Sequence, residues 1–171
     1  MALREIVTVP DDVLRRKAHK VTKFNNNLQT LIDDMVETMR DAPGVGLAAP
    51  QIGVLEQVVV IEFAEEKENE EDEDRPPKLY VVVNPEIIRS SDEKLVGVEG
   101  CLSVPGLVGD VERSIAITVK GKNRHGRPTK LKLNGWLARI FQHEIDHLTG
   151  VLFTDLAENI WEPEEDYVDN V

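Results

Sequence analysis

Gln142-His143-Glu144-Ile145-Asp146-His147-Leu148-Thr149-Gly150 is the stretch from which the rest of the chain is read. On a helix with residues spaced by about 100°, His143 stands at roughly 0°, His147 at roughly 40° and Glu144 at roughly 100°. Two imidazoles one turn apart can reach one ion, and a carboxylate beside them can hold and deprotonate a water at that ion. Continuing the wheel sets Trp136 and Ile140 beside the histidines. Leu137, Phe141, Ile145, Leu148 and Leu152 fall on an adjoining apolar arc, and Ala138, Arg139, Gln142, Asp146 and Thr149 form a small or polar strip. An apolar arc covering more than half the circumference predicts a central helix wrapped on most sides. Asn134 suits its N-cap and Gly150 the left-handed residue past its end.

Outward from this helix, the chain of 171 residues is long enough for one domain, 1–171, with a substantial core. With 32 acidic against 20 basic residues the net charge is -12, which argues against nucleic acid or an anionic membrane as a partner. Cys101 is the single cysteine, so no internal disulfide can form and a reducing compartment is expected. Met1–Ile6 lacks the apolar core of a signal peptide and no run approaches a membrane span, so the expected location is cytoplasmic.

Leu28, Leu31, Ile32, Met35, Val36 and Met39 recur at helical spacing and predict an amphipathic helix from about Asn27 to Arg40, packed on the core. Before it, Pro10–Arg15 reads as a turn opening a brief helical segment. After it, Gly44-Val45-Gly46-Leu47-Ala48-Ala49-Pro50-Gln51 reads as a loop whose backbone approaches a ligand, with Gln51 as its polar tip. It lacks the lysine and following helix of a phosphate loop.

Gln57–Phe63 and Leu79–Val83 predict neighbouring strands, the second ended by Asn84-Pro85. The acidic block between them, about 65–75, predicts a solvated hairpin tip without the spaced ligands of a calcium loop. Lys94–Val98 reads as a strand, Glu99–Gly106 as a turn-rich segment carrying the thiol, and Ser114–Lys120 and Lys130–Leu133 as a strand pair. His19 and His125 are expected at the surface. The tail, about 158–171, is acidic and carries Pro163, which argues against a long helix.

Two histidines leave a catalytic ion one protein ligand short. A third histidine six residues past His147 is ruled out by Phe153; Asp155 and Glu158 are possible carboxylates, and Cys101 would complete a Cys/His/His set with one open position. Three segments together, Gly44–Gln51, Glu99-Gly100-Cys101-Leu102-Ser103 and Gln142–His147, resemble in order and spacing the signature motifs of peptide deformylases. The similarity runs from about Ile6 to Leu156. The resemblance implies an α+β fold with antiparallel sheets around the metal-bearing helix. It also implies hydrolytic removal of formyl from the N-terminal methionine of new polypeptides, with formate released.

Carried onto this chain, the resemblance makes Cys101, His143 and His147 the metal ligands and Glu144 the acid and base. Gln51 and the backbone N–H of Leu102 would hold the developing oxyanion. Independently of the resemblance, the helical wheel gathers Trp136 and Ile140 beside the histidines and the glycine loop brings Gly44, Val45 and Gly46, so these five are expected to contact substrate. The implied cofactor is one divalent ion, Fe²⁺ by resemblance, with Zn²⁺, Ni²⁺ and Co²⁺ suited to the same ligands. The implied partners are N-formylmethionyl nascent peptides, with transient ribosome contact. The acidic block is longer than in many relatives, and the acidic tail differs from the basic terminal helix that some carry. Arg139 stands where some relatives are apolar and is placed at the pocket rim. The competing readings are another small metal-dependent amidase or peptidase, which unformylated peptides would distinguish, and a non-enzymatic metal or nascent-chain module, for which Glu144 has no use.

Overall fold

In the computed structural model, residues 2–65 and 67–164 are described. Helix α1 spans Asn26–Asp41, and the side chain of Asn25 caps it by accepting the Leu28 N–H at 3.1 Å. Strands follow at β1 Gly46–Ala48, β2 Val58–Phe63, β3 Lys78–Ser90, β4 Lys94–Cys101, β5 Val104–Ser114, β6 Ala116–Lys122 and β7 Pro128–Asn134. Helix α2 is Gly135–His147, α3 is the single turn Phe153–Leu156, and β8 is Asn159–Trp161. One antiparallel sheet has the order β1-β2-β3-β6-β7 and a second has β4-β5-β8. The expected α+β class, with antiparallel sheets around a central helix, is what the chain forms.

The larger sheet lies between the two helices, which explains why the first four residues of β2, Val58-Val59-Val60-Ile61, are all apolar and buried before Glu62. Side chains alternate across a strand. Val58 and Val60 accordingly pack with Leu28, Ile32, Met35 and Met39 of α1, while Val59 and Ile61 pack with Leu137, Ile140 and Phe141 of α2. Burying one large aliphatic side chain contributes about 1.5–3 kcal/mol, so this double-sided strand fixes both helices on the sheet. A third cluster joins Cys101, Val104 and Val111 of the smaller sheet to Leu152 and Phe153 beyond α2.

Several sequence expectations are corrected. Asn84-Pro85 does not end β3, which continues to Ser90 through a register shift between Val83 and Glu86. Asn84 adopts φ 53°, and its side chain accepts from the Val21 N–H and donates to the Val21 carbonyl. Those bonds offset the left-handed backbone and let the strand resume. The segment after Cys101 is not mainly turn, because only Leu102-Ser103 separates β4 from the long strand β5. The following strand starts at Ala116, which leaves Ile115 in the connection. Gly46–Ala48 is a strand at the sheet edge, and Ala49–Ile52 is a 3-10 turn that buries Gln51 instead of exposing it. The acidic block is exposed over residues 67–77. Of the acidic tail, Asn159–Trp161 pairs with β5, and the part from 165 to 171 lies outside the described residues.

Candidate metal centre

Helix α2 starts at the sheet edge after Asn134 and carries His143 and His147 into the interior, with ring centroids 5.1 Å apart. Cys101, the last residue of β4, meets them from the smaller sheet. Its Sγ lies 3.4 Å from His147 Nε2, and one ligand atom from each of Cys101, His143 and His147 lies within 4.8 Å of the others. Bonds of about 2.3 Å to sulfur and 2.0–2.1 Å to nitrogen at tetrahedral angles require an S···N separation of roughly 3.5 Å. The site therefore has the size of one ion. Its chemistry agrees, since His143 Nε2 is buried without a hydrogen-bond partner while Nδ1 is held at 2.9 Å by Glu99. Nδ1 of His147 is likewise buried without a partner.

Asp155, an alternative third ligand, is occupied elsewhere. It accepts both guanidinium N–H groups of Arg15 and the Leu152 N–H. Phe153, in the place of a third histidine, stacks on the His143 ring at 6.2 Å between centroids and 20° between planes.

Glu144 is buried beside this cluster, with Oε1 3.8 Å from His143 Nε2 and Oε2 without a partner. Burial pushes its pKa up to about 7, against the opposing pull of a charged His143. Gly46 of β1 makes room for it, because a Cβ there would stand 2.9–3.0 Å from the Glu144 side chain. Gln51 is also buried. Its Oε1 accepts the Ala48 N–H at 2.9 Å, which turns the amide NH₂ toward Ser103 Oγ at 3.1 Å and Cys101 Sγ at 3.5 Å. The carbonyl end is thus tied and the donor end faces the cluster. Leu102, in the turn after Cys101, faces Gly44, where a Cβ would meet Leu102 Cδ1 at 2.8 Å. Ile140 is fully buried one turn before Glu144, with Val45 and Trp136 packed against the same core cluster. A cavity of about 430 Å³ adjoins Trp136, bounded by Tyr80, Lys132, Glu65, Glu68 and Arg75.

Sequence reading missed the charges behind the histidines. Glu99 is fully buried and accepts from Arg113 Nη2 at 2.8 Å, Arg113 Nε at 2.9 Å, Arg139 Nη1 at 2.7 Å and His143 at Nδ1. Burial would raise its pKa, but bonds from Arg113 and His143 prevail and hold it well below the usual carboxylate range. Arg113 also pairs with Asp146. Arg139 is therefore not at a pocket rim, as expected, but inside this ion cluster. The available signal was the polar strip on an otherwise apolar wheel, where Arg139, Gln142 and Asp146 coincide.

The family model described as polypeptide deformylase matches residues 3–161. A peptide deformylase of Symbiobacterium thermophilum is 47% identical over 97% of this chain and 72% of its own length. A crystal structure of peptide deformylase from Ehrlichia chaffeensis superposes with a TM-score of 0.83 at 39% identity, covering 92% of this chain and 89% of that one. The peptide deformylase of Synechococcus elongatus, solved in complex with actinonin, gives 0.80 at 40% identity, over 91% and 79% of the two chains. A match running through every element that builds the centre, from β1 to β8, means that the chain belongs to the peptide deformylase family.

Proposed function

We propose that the chain removes the N-formyl group from the N-terminal formylmethionine of new polypeptides, with Cys101, His143 and His147 holding the ion and Glu144 moving the protons. The observation that carries this reading is a buried carboxylate, one of its oxygens without a partner, beside a thiol and two imidazoles spaced for one ion. A divalent ion bound there supplies Lewis acidity and lowers the pKa of water toward neutrality. Glu144, shifted toward neutrality by burial, takes the proton from the attacking water and returns it to the departing amine. Gln51 Nε2 and the Leu102 N–H donate to the formyl oxygen as it gains charge. A donor placed so contributes about 2.7–4 kcal/mol in comparable sites.

Among the described residues β1 pairs with β2 alone, so its outer edge offers the backbone groups of Gly46 to an extended peptide, with Gly44 and Val45 leading into it; the Gly44 N–H is already donated to the Met39 carbonyl and the Val45 carbonyl already accepts the Glu62 N–H. The methionine side chain rests against Val45, Trp136, Ile140 and the His143 ring. Iron(II) is the proposed ion in the cell, because Cys/His/His equally accepts zinc, nickel and cobalt and family likeness favours iron. The proposed setting is the cytoplasm, with transient access to chains leaving the ribosome; no helix among the described residues is long and apolar enough to cross a membrane. Formyl-Met-Ala, acetyl-Met-Ala and Met-Ala offered to the purified protein test the reading. Formate and a new amine from the first alone are expected, and cleavage of the Met–Ala bond would replace it with a peptidase.

A further inference from the structure

Arg139 has no part in the chemistry above, yet it is buried at 4% exposure on the helix that carries both histidines. Burying a guanidinium costs several kcal/mol unless its protons and charge are matched. Here they are matched on three sides. Nη1 donates to Glu99 Oε2 at 2.7 Å and to the Val111 carbonyl at 2.9 Å, Nη2 donates to the Leu95 carbonyl at 2.8 Å, and the Trp136 ring centroid lies 5.2 Å from Cζ. The strand opposite is shaped for it. A Cβ on Gly97 would stand 2.8–3.0 Å from Cζ, Nε and Nη2 of Arg139, so β4 omits a side chain where the guanidinium lies.

We propose that Arg139, seated on Gly97, is a positioning residue for the metal centre. It fixes the Glu99 carboxylate so that His143 presents Nε2 to the ion. The terminal torsion of a glutamate is soft, so a carboxylate gripped by one group can rock in place. Glu99 is gripped from two directions, by Arg113 across both oxygens and by Arg139 on Oε2. Its Oε1 is left fixed 2.9 Å from His143 Nδ1. Partners of this kind typically change metal affinity 10–100-fold when lost. The inference rests on Cys101, His143 and His147 being the ligands.

The test uses cobalt-loaded protein and reads the visible absorption of Co²⁺, the rate at which a chelator removes it, and kcat and KM on formyl-Met-Ala. Arg139→Leu is expected to release cobalt about 10–100-fold faster, with an altered spectrum and a lower kcat at little-changed KM. Arg139→Lys should recover part of the loss. Gly97→Ala, which displaces the guanidinium while keeping the residue, should shift the same readouts in the same direction, and it carries the test with Arg139→Lys if the leucine variant does not fold. Cys101→Ser, run in parallel, must lose the thiolate-to-cobalt absorption; if it does not, the ligand reading fails first. If it does, and the folded Arg139 and Gly97 variants keep the wild-type spectrum and release rate, Arg139 is a structural ion pair and the proposal is overturned.

Discussion

Replacing Glu144 by Gln should stabilise the metal-free protein, and the gain should depend on pH. The carboxyl is buried, and its pKa rises from 4.5 to about 7 chiefly through desolvation. A group whose pKa is raised by folding favours the folded state below its unfolded pKa, and that contribution is lost as pH rises through the folded value. Each tenfold change in proton affinity is worth about 1.36 kcal/mol, so at pH 8.5 the ionised carboxylate costs roughly 3 kcal/mol, falling below about 1 kcal/mol near pH 5. Gln has nearly the same shape and no charge to desolvate. Urea unfolding of the two metal-free proteins between pH 5 and 8.5 measures the difference directly. Glu144→Gln should gain on the wild type as pH rises from about 5 to about 7 and keep a level advantage above that, while its metal-loaded form hydrolyses almost no formyl peptide. A stability difference constant across that range would mean that the carboxylate is not desolvated as the geometry requires, and its assignment as a base with raised pKa would fall.

Other substitutions probe the remaining groups. Gly46→Ala should lower turnover at least tenfold at unchanged metal content, because its Cβ enters the space of the Glu144 side chain, and elemental analysis with steady-state kinetics checks both. Gln51→Leu should lower kcat about 10²–10³-fold with a smaller effect on KM, and an effect confined to KM would assign the amide to substrate binding instead. Ile140→Asp should impair turnover of methionine substrates without releasing the ion, and unimpaired turnover would relocate the side-chain pocket. Removing residues 66–73 and closing the loop should shift the thermal midpoint by only a few degrees and spare activity on short peptides, since residues 67–77 are exposed. Protein prepared in air should contain zinc or lose activity through oxidation at the iron–thiolate pair, and anaerobic iron should restore it.

The centre was legible in the sequence where its geometry is local. His143, Glu144 and His147 lie within five residues of one helix, and helical spacing alone puts them on one side. Cys101 stood out because it is the single thiol, and Gln51 because it closes a run of glycines and small residues. Long-range pairing decided what was missed. Strand β5 contains Pro105, Gly106 and Gly109 and reads as turn until its register with Glu99–Lys94 of β4 is seen. Asn84-Pro85 looks like a strand end because the bonds that carry β3 past it come from Val21, more than sixty residues away. Glu99, Arg113 and Arg139 look like surface charges until each is found to neutralise another in the core.

The central claim is that one ion held by Cys101, His143 and His147 turns the Glu144 side into a deformylating centre. Titrating metal-free protein with ferrous iron under nitrogen, while following formate release from formyl-Met-Ala, tests it most directly. Activity should rise linearly and break at one ion per chain, Cys101→Ser should show no such break, and Glu144→Ala should bind the ion without releasing formate. Formate release at full rate without metal, or undiminished in Glu144→Ala, would contradict the account.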